Sequence, residues 1–178
     1  MTEGFLRDVC EVVDAVEPVE KFAGVIRERK EEKDQGSNGQ GKGKGKEGTC
    51  GEGTGRGEIG DIFLTGLEAW IPSKKYDLIW AQFCCNYVTD AQLAEFLKRS
   101  CAALTETGIV VLKENITTDP KGEDLYDPED SSVTRSDQKF RALCKEAGLG
   151  VIASELQLGY PKSFNLLPVR FYALRPIS

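Results

Sequence analysis

Residues 76–85, YDLIWAQFCC, are apolar throughout apart from Asp77 and Gln82. A strand with one face in water alternates apolar and polar residues, so a run like this one needs cover on both faces, as a parallel strand between helices has. The next segment keeps a different period. Leu93, Phe96, Leu97, Cys101 and Leu104 recur at three and four residues after Asp90, which predicts a helix capped by Asp90 and broken at Gly108. Ile109 to Lys113 (IVVLK) returns to a strand. A second helix follows from a Ser136 or Asp137 cap, carries Phe140, Leu143, Cys144 and Ala147, and closes at Gly148.

The flanks extend the alternation. Val9 to Val16 reads as a strand stopped at Glu17-Pro18, a helix is expected from Val19 to about Lys33, and Ile59 to Thr65 is a further strand. Val151–Leu156 and Val169–Leu174 end the series with only a loop between them, which predicts an antiparallel edge on an otherwise parallel sheet. Gln35 to Gly57 interrupts it with over half of the chain's 19 glycines, and is expected to be a disordered, low-complexity insertion within one domain. Gly51, Gly53 and Gly55 imitate a nucleotide loop. A functional loop of that kind leaves a strand and enters a helix, and these glycines do neither.

Charge and cysteine content narrow the function. Against 23 Lys and Arg stand 29 Asp and Glu, a net charge of -6, which disfavours nucleic acid and anionic membrane and favours basic peptides. No stretch approaches the ~20 apolar residues of a membrane span, and the expected location is cytoplasmic, extending to the nucleus. Of the six cysteines, Cys84 and Cys85 lie in an apolar run and Cys10, Cys101 and Cys144 in periodic apolar segments, and these are expected to be buried free thiols; with no histidine and no CxxC pair, zinc is not expected.

In α/β sheets ligands gather at the carboxyl ends of strands, which singles out a few polar residues. Glu17 ends the first strand, as an acceptor for both hydroxyls of a ribose or as a solvated strand-end acid. Leu67 and Glu68 follow the next strand. Gln82, inside an apolar strand, needs a partner from backbone or ligand. Asn115 ends IVVLKEN, either presented at the sheet edge or bonded to its own turn. Residues 123–130, EDLYDPED, hold five acids, as a solvated loop or as a recognition site for Lys or Arg.

Together TEGFL, VVDAVEPVEKF, GLEAWIP, YDLIWAQF, VTDAQLAEFLKRS, IVVLKEN and DPEDSSVTRS resemble the α-N-terminal protein methyltransferases that modify Xaa-Pro-Lys termini. The resemblance implies an α/β, Rossmann-like fold using S-adenosylmethionine, here expected without that fold's first strand and glycine-rich loop. It implies that Glu17 binds the ribose, that Leu67 and Glu68 lie beside the adenine, and that Gln82 lines the same pocket. On the substrate side it puts Phe83 against the proline where the family usually has Trp. It gives Asn115 the substrate terminus, and Asp130, assisted by Asp127, the catalytic role and the substrate lysine. Ser132 and Arg135 are expected to support this cluster, and Tyr87 stands where the family has histidine. The rival expectations are a catalytically inactive relative that binds basic peptides through Asp127 to Asp130, and a methyltransferase for small molecules.

Overall fold

The computed structural model describes residues 5–36, 57–159 and 166–177. They form two compact units that divide between Gly66 and Leu67.

In the first unit, β1 (Val12–Val16) pairs in parallel with β2 (Glu58–Phe63), and α1 (Glu20–Gly36) packs on β2. Val13, Ala23 and Ile59 are its buried residues. β1 is shorter than the apolar run predicts, because the Val9 and Cys10 amides both donate back to the Leu6 carbonyl, at 3.0 and 2.8 Å, and hold a turn there. Gly57 sits against that turn. Its amide donates to the Arg7 carbonyl (2.7 Å) and its carbonyl accepts from Arg7 Nε (2.8 Å), so close that a Cβ would overlap the Cys10 carbonyl oxygen. The glycine-rich segment is therefore not uniform: Gln35 and Gly36 end α1 and Gly57 has a fixed place. Its remainder, with Gly51, Gly53 and Gly55, lies outside the described residues.

The second unit is a four-stranded sheet in the order β3 (Tyr76–Gln82), β4 (Leu104–Asn115), β8 (Val169–Pro176), β7 (Leu149–Leu156). β3 and β4 are parallel, while β8 runs antiparallel to both β4 and β7, as expected for strands joined without a helix. Between β4 and β7 come a small antiparallel pair, β5 (Leu125–Tyr126) and β6 (Val133–Thr134), and the helix α3 (Asp137–Glu146). The acidic stretch thus folds as a hairpin.

Two boundaries differ from the sequence pattern. α2 (Asp90–Ala103) is capped by Thr89, whose Oγ1 accepts from the Gln92 amide while Gln92 Oε1 accepts from the Thr89 amide. Asp90 is the first helical residue, because a threonine with glutamine three positions on forms a reciprocal capping box. The helix also passes straight into β4. Leu104 belongs to the strand, and Gly108 lies within it, where a Cβ would come 2.7 Å from the Tyr76 carbonyl oxygen.

α2 packs on β4 and on α3, and α3 packs on β7. Phe140 is completely buried with its ring centroid 5.6 Å from that of Tyr172, and Trp70 lies 6.2 Å from Phe96 and 5.9 Å from Tyr76. Gly148 closes α3 with φ of 78°, the left-handed turn expected of a glycine past a helix end. Of the cysteines, Cys85 and Cys144 are buried and Cys10, Cys84 and Cys101 are half-exposed free thiols, so burial was over-assigned at three of them. Replacing Phe140 with alanine leaves a large void beneath α3 and should cost about 3–5 kcal/mol, read as a lowered urea midpoint with an unchanged denaturant slope.

Candidate active site

β3 ends at Gln82, three residues before the apolar run does. The Phe83 amide still donates to the Lys113 carbonyl (3.0 Å), after which Phe83 itself turns left-handed at φ 53°. A bulky residue takes that conformation only where its surroundings enforce it. The chain then makes one turn of 3-10 helix, Cys85–Tyr87, before Thr89 opens α2.

Glu114, on β4, holds this turn from below: one carboxylate oxygen, Oε1, accepts from the amides of both Cys84 and Cys85 at 2.7 Å. Arg135, only 1% exposed, holds it from the side. Its guanidinium donates to the carbonyls of Cys85 (2.9 Å) and Val88 (2.5 Å), and its Nε donates to Asp90 Oδ1 (2.7 Å). Asp90 also pairs with Lys139, which in turn pairs with Asp124. Asn86 sends its Nδ2 toward the Asn115 carbonyl in a long contact of 3.5 Å.

The turn carries Tyr87 at its tip, and the Tyr87 hydroxyl donates to Asp130 Oδ2 at 3.1 Å. Asp130 Oδ1 accepts from the Ser132 amide (2.9 Å), and Asp127 Oδ1 accepts from the Glu129 amide (2.8 Å). Ser131 takes φ 61° in this hairpin, and Asp127 and Asp130 are both exposed. The hydrogen bonds from Ser132 hold the Asp130 carboxyl below the ordinary carboxylate range, with Tyr87 adding to the effect, and Asp130 in turn raises the Tyr87 phenol. Asp130 is thus an exposed anion at neutral pH.

Of the residues singled out by sequence, Phe83, Tyr87, Asn115, Asp127 and Asp130 are brought to this turn and the neighbouring hairpin. Asn115 is the last residue of β4, and its side chain makes no hydrogen bond among the described residues. Phe83 is partly exposed, with the Lys113 ammonium 5.3 Å from its ring centroid. Gln82 answers the question of its partner, since its Oε1 accepts from Trp80 Nε1 at 3.1 Å. Leu67 and Glu68 stand in a loop fixed by Arg99, whose guanidinium donates to the carbonyls of Leu67, Glu68 and Trp70 at 3.2, 2.9 and 3.0 Å. In the first unit Glu17 lies just past β1. Its Oε1 accepts from the Val19 amide (2.9 Å), while its second oxygen has no hydrogen bond among the described residues.

Glu114 escaped the sequence reading, which passed over it for Asn115. Its signal was an acid inside a buried strand. It is 1% exposed, and its Oε2 has no hydrogen-bond partner among the described residues. Burial raises its carboxyl to about 7, against the pull of the two backbone amides.

A model of the AdoMet-dependent proline di-methyltransferases matches residues 1–175. The chain belongs to this family. It is 36% identical over 179 residues to the alpha N-terminal protein methyltransferase 1 of Schizosaccharomyces pombe, a match covering all of this chain and 68% of that protein. It is 38% identical over 104 residues to the N-terminal Xaa-Pro-Lys N-methyltransferase 1 of Xenopus tropicalis, covering 58% of this chain and 45% of that one. A solved SAM-dependent methyltransferase from Leishmania major superposes with a TM-score of 0.74 at 30% identity, over 98% of this chain and 59% of the other. The chain spans 68% of the first relative's length, and less than half of the second's. The family relationship and the superposed methyltransferase bear out the Rossmann-like fold that the resemblance implied.

Two outcomes test the geometry of the turn. Arg135→Lys keeps the charge but cannot reach three acceptors at once, and should lower stability by about 2–3 kcal/mol in chemical denaturation. Glu114 keeps in the native state a proton that the unfolded chain releases from about pH 4.5, so stability falls as pH rises from 4.5 to about 7 and then levels off. In Glu114→Gln, with chelator present, this loss of about 3 kcal/mol should disappear from the pH dependence of the urea midpoint.

Proposed function

We propose that this chain transfers methyl groups from S-adenosylmethionine to the α-amino group of proteins whose N-termini read Xaa-Pro-Lys. The observation that carries the proposal is the Tyr87–Asp130 hydrogen bond, which ties an exposed carboxylate to the clamped turn that also carries the exposed ring of Phe83. The names of the relatives support the same chemistry.

The resemblance assigns the cosubstrate to Glu17 in the first unit and to Leu67, Glu68 and Gln82 in the second, and each unit is described by itself. Glu17 keeps one carboxylate oxygen for a ribose hydroxyl, and the Leu67–Glu68 backbone is held rigid by Arg99 for contact with an adenine. Gln82 completes the assignment on β3. When bound, S-adenosylmethionine supplies a methyl group on a cationic sulfur.

Asp130 is assigned the charge that the reaction moves. The α-amino nitrogen attacks as a neutral amine and becomes cationic as it gains the methyl. A carboxylate beside it stabilises that developing charge and orients the lone pair. Because its carboxyl is held low, Asp130 does this as a permanent anion and is a poor store for the departing proton, which passes to water. Tyr87 donates a hydrogen bond in this arrangement and aims the carboxylate, so tyrosine in place of the family histidine suits positioning. Asn115 offers its unbonded amide to the substrate terminus, Phe83 an apolar face to the proline, and Asp127 with Asp130 the acceptors for the lysine ammonium.

The test is methyl transfer to a peptide beginning Xaa-Pro-Lys, set against calorimetric titration with S-adenosylhomocysteine. Asp130→Asn and Asn115→Ala should each lower transfer by about 100-fold or more while cosubstrate affinity stays within about twofold. A parallel loss of cosubstrate affinity would refute the assignment of these residues. Peptide binding without any transfer would favour the inactive peptide-binding protein instead. In the active protein the rate should rise with pH toward about 8, following the substrate amine, with no Asp130 limb near neutrality.

A further inference from the structure

Glu114 holds the turn with Oε1, and among the described residues its buried second oxygen has no hydrogen-bond partner. Leaving a carboxylate oxygen unsatisfied in the interior is costly, so a second role for it is worth seeking. The thiols of Cys84 and Cys85 lie beside it: the two sulfurs and a Glu114 carboxylate oxygen are all within 4.8 Å of one another.

From this grouping we infer that Cys84, Cys85 and Glu114 form a binding site for a thiophilic divalent cation of the Zn²⁺ and Cd²⁺ class. Two sulfurs and one carboxylate oxygen are the donor set that such d¹⁰ ions prefer over Mg²⁺ or Ca²⁺, and three protein ligands leave a fourth position open. Cys85 is buried, whereas Cys84 is half-exposed and gives the ion a way in. The backbone amides of Cys84 and Cys85 already bond Oε1, so the carboxylate is oriented before any ion arrives. On binding, each thiol gives up its proton to solvent and forms a metal–sulfur bond. The buried Arg135 guanidinium, bonded to the Cys85 carbonyl, lies close enough to offset the excess negative charge. Sequence spacing excluded zinc because it looked for ligands along the chain, and here β4 supplies the third ligand from 29 residues beyond Cys85.

The site lies directly behind Phe83 and two residues before Tyr87, so an ion bound there locks the turn that the proposed reaction uses. The binding itself does not depend on that reaction. The whole chain, reduced and stripped of metal with a chelator, would be titrated with Cd²⁺ and followed by the ultraviolet thiolate-to-metal charge-transfer band, then with Zn²⁺ against a chromophoric chelator. One equivalent should bind. Cys84→Ser, which alters only a half-exposed thiol, should weaken binding at least tenfold and reduce the band. Glu114→Gln, which keeps an acceptor for the two amides, should weaken binding about tenfold while the band survives. Cys10→Ser and Cys101→Ser should change neither. An unaltered titration in Cys84→Ser, with its metal-free circular dichroism matching the parent, would overturn the site. So would a band that disappears in Cys101→Ser. Loss of Cd²⁺ binding with peptide methylation intact would leave the functional proposal standing, and the converse would leave the metal site standing.

Discussion

The region around the candidate site depends on one constraint: seven residues between β3 and α2 must leave a sheet, reverse through a left-handed phenylalanine and enter a helix, with Cys85, Asn86 and Val88 buried on the way. Backbone groups at the buried positions are cut off from water, so buried side chains have to satisfy them. Glu114 takes two amides and Arg135 takes two carbonyls, and each lies almost wholly out of solvent. Neither side chain can be exchanged for an apolar one without orphaning the turn. Arginine suits the task because its planar fork serves several acceptors at once, which an ammonium cannot do. Its remaining charge is balanced through Asp90, at the start of the helix that the turn feeds.

Two carboxylates at this place are pushed in opposite directions by their surroundings. Glu114 is buried, and desolvation outweighs its backbone hydrogen bonds, so it tends to keep its proton near neutrality. Asp130 is exposed, and the Ser132 hydrogen bonds keep it ionised. The buried acid is structural and shapes the turn, while the exposed one is available to a basic ligand. The same logic divides the acidic hairpin. Asp124 pairs with Lys139, whereas Asp127 is bonded to the Glu129 amide and Asp130 to Ser132 and Tyr87. What reads in sequence as a uniform acidic loop is in space one internal ion pair and a pair of outward acceptors.

Legibility followed the range of the forces involved. The IVVLK and VRFYAL strands, the Phe140-bearing helix and its Ser136 and Gly148 ends were readable because hydrophobic period and helix capping act within a few residues. The late start of β1 depended on amides returning to Leu6, and the end of β3 depended on Glu114 from another strand. Asp90 was misread as a cap since the acid is conspicuous and the Thr89–Gln92 pair is not. Asn115 stood out by its place at a strand end and the stretch holding Asp127 and Asp130 by its charge, but the candidate roles of these residues, and Tyr87 altogether, came only through the resemblance to a known family. Nothing in their spacing joins residue 87 to residue 130.

The sequence by itself determined the α/β alternation, the antiparallel strands after the last helix and the family to which the chain belongs, because local pattern and shared motifs survive without three-dimensional knowledge. The tertiary structure decided which polar residues meet. It set Glu114 beneath Cys84 and Cys85, drew Arg135 under the turn and brought Tyr87 to Asp130. Those contacts span 29 to 50 residues of chain and arise only when parallel strands and a distant hairpin close on one turn. A buried polar group is satisfied by whichever neighbour the fold delivers, and no local pattern records that neighbour.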